Sequence, residues 1–256
     1  MGRRSRQLAL LGVCALVLAL LAGGSDAAII KYGNLVLTAD GEFSPHTLPR
    51  HRHAPIEIEG RAGISGRDGA PPPKLEQAIL DFDHDGLLTT RGLGVCPPER
   101  IEHAGVAQAR RVCKSALVGT GTVKATVLVE GRSLSVTAPL SLFNGPTPPG
   151  AVASVVAHAQ PVSLPGEIYV VTVPIVRTKG EYGYEATVEV PEIFNTSGVL
   201  THVEAKIARR FRAGGRERSY ISARCSDGAL AVHGHFTFEE GTVVDGAVEK
   251  YCVPSG

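Results

Sequence analysis

Three carboxylates at alternate positions ahead of a glycine, Asp81-Phe82-Asp83-His84-Asp85-Gly86, form the most concentrated set of metal donors in the chain. Aspartates spaced this way open calcium loops of the EF-hand type, where they converge on one hard cation. The pattern lapses at its twelfth position, where Gly92 stands in place of a bidentate glutamate. The competing reading is a β-hairpin: 79–82 runs in, Asp85-Gly86 makes the tight turn, and Leu87 runs back. Both readings stay open, and a structural calcium ion held by Asp81, Asp83 and Asp85 is the one cofactor they imply.

A second concentration is cationic. Lys206, Arg209, Arg210 and Arg212 precede Gly214-Gly215, and Arg216, Arg218 and Arg224 follow it. The glycine pair reads as a hairpin turn, and period-two alternation places Val203, Ala205, Ile207 and Phe211 inward on one arm and Ile221, Ala223 and Cys225 inward on the other. Lys206, Arg210, Arg212, Arg216, Arg218 and Arg224 then share an outer face that could bind an anionic cell-envelope polymer. Against this stands charge pairing within the protein. Glu181, Glu185 and Glu189 share one face of a strand through 184–190, which could lie beside the hairpin as a ladder of opposite charges.

Histidines recur two apart at His51 and His53 and at His233 and His235, the spacing of one strand face. A metal site needs a third ligand and an outer shell of partners, which linear order does not locate. Arg50-His51-Arg52-His53 reads as an exposed loop whose arginines repel a cation, and His233 and His235 read as the solvent side of a strand. No catalytic residue is nominated. Gly63-Ile64-Ser65-Gly66 lacks the spacing of a nucleophile elbow, and Gly119-Thr120-Gly121 leads into a strand, not a phosphate-binding helix. With no tryptophan and only 6 Tyr and 7 Phe, a carbohydrate cleft is poorly supplied with stacking faces; Tyr169, Tyr182 and Tyr184 are the one local cluster.

These residues must be carried by strands. After position 27, short Val-, Ile- and Thr-rich segments bounded by Gly, Pro, Asn or Asp recur at 30–38, 56–62, 78–82, 123–129, 134–143, 152–159, 168–176, 184–190, 201–211, 219–225, 230–238 and 243–248. One helix is expected over 98–112, opened by two prolines. The fold class is all-β, with two sandwich-like domains over 28–145 and 151–256 joined by the proline-rich link 144–150. One large sandwich over 28–256 is the alternative. Four cysteines remain beyond Cys14, and three connectivities exist; clustering favours Cys96 with Cys113 and Cys225 with Cys252, each closing a short loop in its own half.

The first 27 residues carry Arg3, Arg4 and Arg6, an apolar run over 8–22 and small residues at Ser25-Asp26-Ala27, the pattern of a secretory signal. Removing it changes the formal charge from +1 to −1 and leaves no later run long enough to span a membrane as a helix. Near-neutral charge argues against nucleic acid as a partner. The segments Gly92-Leu93-Gly94-Val95-Cys96-Pro97, Cys113, 116–122, Phe143-Asn144-Gly145-Pro146 and 220–228 through Cys252 resemble an uncharacterised family of secreted bacterial β-sandwich proteins. That resemblance implies export and fold, and brings no activity. The expected function is that of a secreted, non-catalytic structural or binding protein of unassigned partner, free outside the cell or associated with its surface. The alternatives are the anionic-polymer module and an extracellular hydrolase with a site between the domains.

Overall fold

The computed structural model describes residues 27–67, 69–163, 166–195 and 197–256. The export segment expected at 1–27 lies outside the described residues except for Ala27. The described chain is all-β. Its strands are β1 (Ala28–Tyr32), β2 (Leu35–Ser44), β3 (Thr47–Pro49), β4 (Ala54–Pro55), β5 (Glu57–Gly66), β6 (Leu75–Asp83), β7 (Gly86–Leu88), β8 (Leu117–Val129), β9 (Arg132–Asn144) and β10 (Ala153–Ala159). They continue with β11 (Tyr169–Arg177), β12 (Tyr182–Glu189), β13 (Gly198–Ile207), β14 (Arg210–Ala213), β15 (Arg216–Ser219), β16 (Ile221–Ala223), β17 (Ala229–Phe238), β18 (Val243–Tyr251) and β19 (Val253–Ser255). One α-helix is present among the described residues, α1 (Val106–Val112).

Twelve strands form one antiparallel sheet in the order β1-β2-β5-β13-β8-β9-β10-β11-β12-β6-β17-β18. Alternation of apolar and polar residues gives this sheet an inner and an outer face. Leu35 and Leu37 of β2 and Ile64 of β5 meet Ala78 of β6, Phe236 and Phe238 of β17 and Val244 of β18 in a buried cluster. The sheet therefore curls until its two ends approach, and β18 packs on β1 and β2. At this seam Gly246 leaves room for the Ile30 side chain, whose Cδ1 would lie 2.3 Å from a Cβ at that position. Lys250 Nζ also reaches Asp40 Oδ1 at 2.9 Å across the seam, and Arg61 pairs with the other Asp40 oxygen. A three-stranded sheet in the order β4-β16-β7 and the parallel pair β19-β3 pack around Phe43, Leu48 and Ile56 with Cys225 and Cys252.

The boundary expected at 144–150 does not separate two cores. β9 before it and β10 after it are hydrogen-bonded neighbours, β13 sits between β5 and β8, and β6 sits between β12 and β17. Proline and glycine mark where the backbone must turn and carry no information about which strands later pair.

Three smaller expectations change in the same way. The segment 30–38 breaks into β1 and β2 at a turn holding Gly33 with φ 54°. The helix over 98–112 is a 3₁₀ turn at Pro98–Arg100 followed by α1, whose N-cap is Gly105. The hairpin at Asp85-Gly86 is not made, since β7 pairs with β16 while β6 lies between β12 and β17. By contrast, Gly214 and Gly215 adopt φ of 59° and 75° between β14 and β15, a two-residue hairpin turn as expected. Both disulfides form in the expected pairing, Cys96–Cys113 and Cys225–Cys252.

Candidate metal centre

The outer face of the β12-β6-β17-β18 third of the sheet gathers titratable side chains from four strands. Phe236 and Phe238 of β17 are buried, so His233 and His235 project from the opposite face. Cross-strand register then supplies a carboxylate to each: Asp81 of β6 lies opposite His233, and Asp245 of β18 lies opposite His235. Directly opposite residues in antiparallel strands bring Cβ atoms within about 5.5 Å, close enough for the side chains to meet.

The donor atoms converge on one point. His233 Nδ1 and His235 Nε2 each lie 3.8 Å from Asp81 Oδ2, and the three side chains offer ligand atoms all within 4.8 Å of one another. A tetrahedral ion bound at zinc distances separates its ligands by about 3.3 Å, so the donors must close by roughly half an ångström to one and a half ångströms to complete a coordination set. The imidazole rings stand 4.4 Å apart with their planes 87° from parallel, an edge-to-face contact. Tyr182 stacks on the His233 ring with centroids 6.0 Å apart and planes 19° from parallel. Beneath the pair, Gly234 lets the Phe236 ring tuck under the strand, where a Cβ would come within 2.6 Å of it.

Asp245 completes the arrangement from outside. Its Oδ1 pairs with His235 Nδ1, so that a metal bound at Nε2 would be matched by a proton on Nδ1 shared with Asp245. Carboxylate-to-histidine contacts of this kind fix tautomer and ring orientation in metal sites. Two imidazole nitrogens and one carboxylate suit zinc, nickel, copper or iron(II), whereas calcium and magnesium select oxygen alone.

Comparison with protein-family models, with curated proteins and with solved structures found no match to this chain.

The aspartates of the calcium reading part company. Asp81 joins the histidines, while Asp83 and Asp85 fall with His84. Asp85 is fully buried; it accepts Arg224 Nε and the Ser226 amide at 2.6 Å each. Burial alone would raise its carboxyl, yet these donors outweigh burial and hold it below the usual carboxylate range. Asp83 accepts the amides of Asp85 and Ala231. These two carboxylates thus fasten the β6–β7 bend to the 224–231 segment, a structural task that turn-forming aspartates perform without a cation.

The basic face also dissolves. β13 ends at Ile207, and β14 and β15 form a separate two-stranded sheet. Lys206 pairs with Glu57 at 3.2 Å, Arg210 with Glu217 at 3.8 Å, and Arg224 with buried Asp85. Arg212, Arg216 and Arg218 remain exposed on the short hairpin. The acidic strand does not lie beside them: β12 runs between β11 and β6, where Glu185 faces Asp81 in register and Glu189 accepts Gln77 Nε2 at 2.7 Å. His51 and His53 occupy the irregular segment before β4, so they share no strand face. Of the tyrosines, Tyr184 accepts Arg177 Nη2 at 3.0 Å beneath a cation–π contact, and Tyr169 accepts the Phe194 amide at 3.1 Å. The glycines of Gly119-Thr120-Gly121 serve strand packing, since a Cβ on Gly121 would lie 1.9 Å from Glu204 O.

Sequence reasoning found the histidine pair and missed its partners. Asp245 was within reach, because a hairpin centred on Glu240 places position 245 opposite 235. Asp81 was not, because the β6–β17 pairing joins segments some 150 residues apart with no local signal.

Proposed function

We propose that this protein is an extracellular, non-catalytic binding protein that holds one divalent transition metal ion, of the zinc class, on the outer face of its sheet through Asp81, His233 and His235. The observation that carries the reading is the oriented pair of imidazoles. Two nitrogens address one Asp81 oxygen, and Asp245 fixes the tautomer of one ring from behind. A histidine pair that served only solubility would have no need of a carboxylate on each side. Three protein donors leave a coordination position toward solvent, open to water or to a donor from a partner.

The extracellular part of the reading is supported by the signal-like segment over 1–27 and by the two disulfides, which persist in oxidising compartments. No helix among the described residues is long and apolar enough to cross a membrane. Calorimetric titration of the exported chain with zinc tests the assignment. One ion per chain is expected, with binding weakened more than about a hundredfold in His235→Ala and little competition from millimolar calcium. Equal binding by the variant, or displacement by calcium, contradicts it.

A further inference from the structure

Arg111 and Val112 end α1, Lys114 and Ser115 form the 3₁₀ turn that follows, and Arg209 comes from the bend between β13 and β14. These five residues line an open cleft of about 410 Å³, a volume within the range of small-ligand sites. Three cations and a hydroxyl share the lining, and no carboxylate does.

From this cleft we infer a phosphate-binding site, independent of the metal reading, in which Arg111, Lys114 and Arg209 supply charge and Ser115 a hydroxyl donor. Among the described residues none of these three cationic side chains forms an ion pair, whereas Lys206, Arg210 and Arg224 nearby are all paired. The Nε of Arg209 is buried without a hydrogen-bond partner. An orphaned guanidinium N–H carries a free-energy penalty, which a ligand oxygen would remove once the Arg209 side chain shifts to present Nε to the cleft. A guanidinium fork, an ammonium and a hydroxyl match a tetrahedral oxyanion in both charge and geometry.

The scaffold holds these donors before any ligand arrives. Cys113 lies between Arg111 and Lys114 and is tied to Cys96 by a disulfide. Arg110, the other cation of the last helical turn, is committed elsewhere: its Nε donates to Ser141 Oγ at 2.8 Å and its Nη2 to Leu140 O at 3.3 Å, pinning α1 to β9. Ser115 packs so closely on Gly94 that a Cβ at position 94 would lie 2.2 Å from the serine hydroxyl. The backbone that carries the donors is thus fixed in advance, leaving the Arg111 and Lys114 side chains to order on binding.

A phosphate could arrive as a free monoester or as a phosphodiester of an envelope polymer, and the exposed Arg212, Arg216 and Arg218 on the adjoining hairpin separate the two sources. Calorimetric titration of the disulfide-bonded chain with inorganic phosphate, and separately with poly(glycerol phosphate), gives the test. Inorganic phosphate is expected to bind with an affinity that falls with added salt and drops at least about tenfold in Arg209→Ala. Arg111→Ala, an exposed position, should show the same loss and serves if the Arg209 variant does not fold. If the ligand is the polymer, it binds tighter per phosphate than the free ion, and Arg212→Ala/Arg216→Ala removes that excess alone. Absence of binding by either probe, or affinities unchanged in both Arg209→Ala and Arg111→Ala, overturns the inference. Zinc titration of the same variants remains unaffected in either case.

Discussion

At the scale of single residues, the account turns on which carboxylates act on a neighbour and which serve the fold. Asp245 acts through His235, so Asp245→Asn keeps the three donors while loosening the tautomer. Zinc affinity measured by competition with a chromophoric chelator should fall about ten- to a hundredfold, with the thermal midpoint little changed. Asp40 serves the fold. Hydrogen bonds from Lys250 and Arg61 lower its carboxyl to about 2, below the ordinary value near 3.9. Between those values the unfolded chain takes up a proton that the folded chain refuses. The stabilisation from Asp40 is therefore complete above about pH 4 and fades as pH falls toward 2. Asp40→Asn should cost about 1 to 2 kcal/mol at pH 7, read from urea midpoints, and the gap from wild type should close by pH 2. Residue chemistry was legible in the sequence only where it was local. The His233 and His235 spacing announced a shared face, whereas the Lys250–Asp40 and Asp81–His233 contacts exist only because distant strands become neighbours.

At the scale of elements, the sequence showed strands by alternation and turns by glycine, and it misjudged elements wherever pairing partners were chosen at long range. The 201–225 stretch is an example. Its turn at Gly214-Gly215 forms as the composition demands, but its arms are cut short because β16 leaves to join β4 and β7 and Arg224 turns inward to buried Asp85. Asp85→Asn removes the charge opposite Arg224 and should destabilise by about 1.5 to 3 kcal/mol, the scale of a hydrogen bond to a charged group, since Arg224 keeps partial access to solvent. Chemical denaturation measures this, and a loss under 1 kcal/mol would show that the pair is not held as described. The helix was half legible. Prolines opened a 3₁₀ turn as expected, but Gly105 separates it from α1, and the short helix depends on Cys96–Cys113 and on Arg110 for its seat. Replacing both Cys96 and Cys113 with serine should cost about 3 kcal/mol by the loop-entropy relation. The same change should weaken phosphate binding and leave zinc binding intact.

At the scale of the whole molecule, the interleaving of strands makes the chain one cooperative unit. Residues 28–145 or 151–256 expressed alone lack the neighbours of β6 and β13 and should show no cooperative thermal unfolding, while the full exported chain should give one calorimetric transition. Proline-rich composition at 144–150 pointed to a division because composition reports local backbone geometry, and sheet order is decided by burial over the whole chain. The closing of the sheet, with β18 against β1 and β2, also sets the metal face: it fixes β18, and β18 carries Asp245. The most direct test of the metal assignment is an anomalous difference map at the zinc edge from crystals grown with one equivalent of zinc. A single peak about 2.1 Å from His233 Nδ1 and His235 Nε2 and within coordination distance of Asp81 is the predicted result. A map with no peak there, or with zinc bound only at other histidines, would contradict the account.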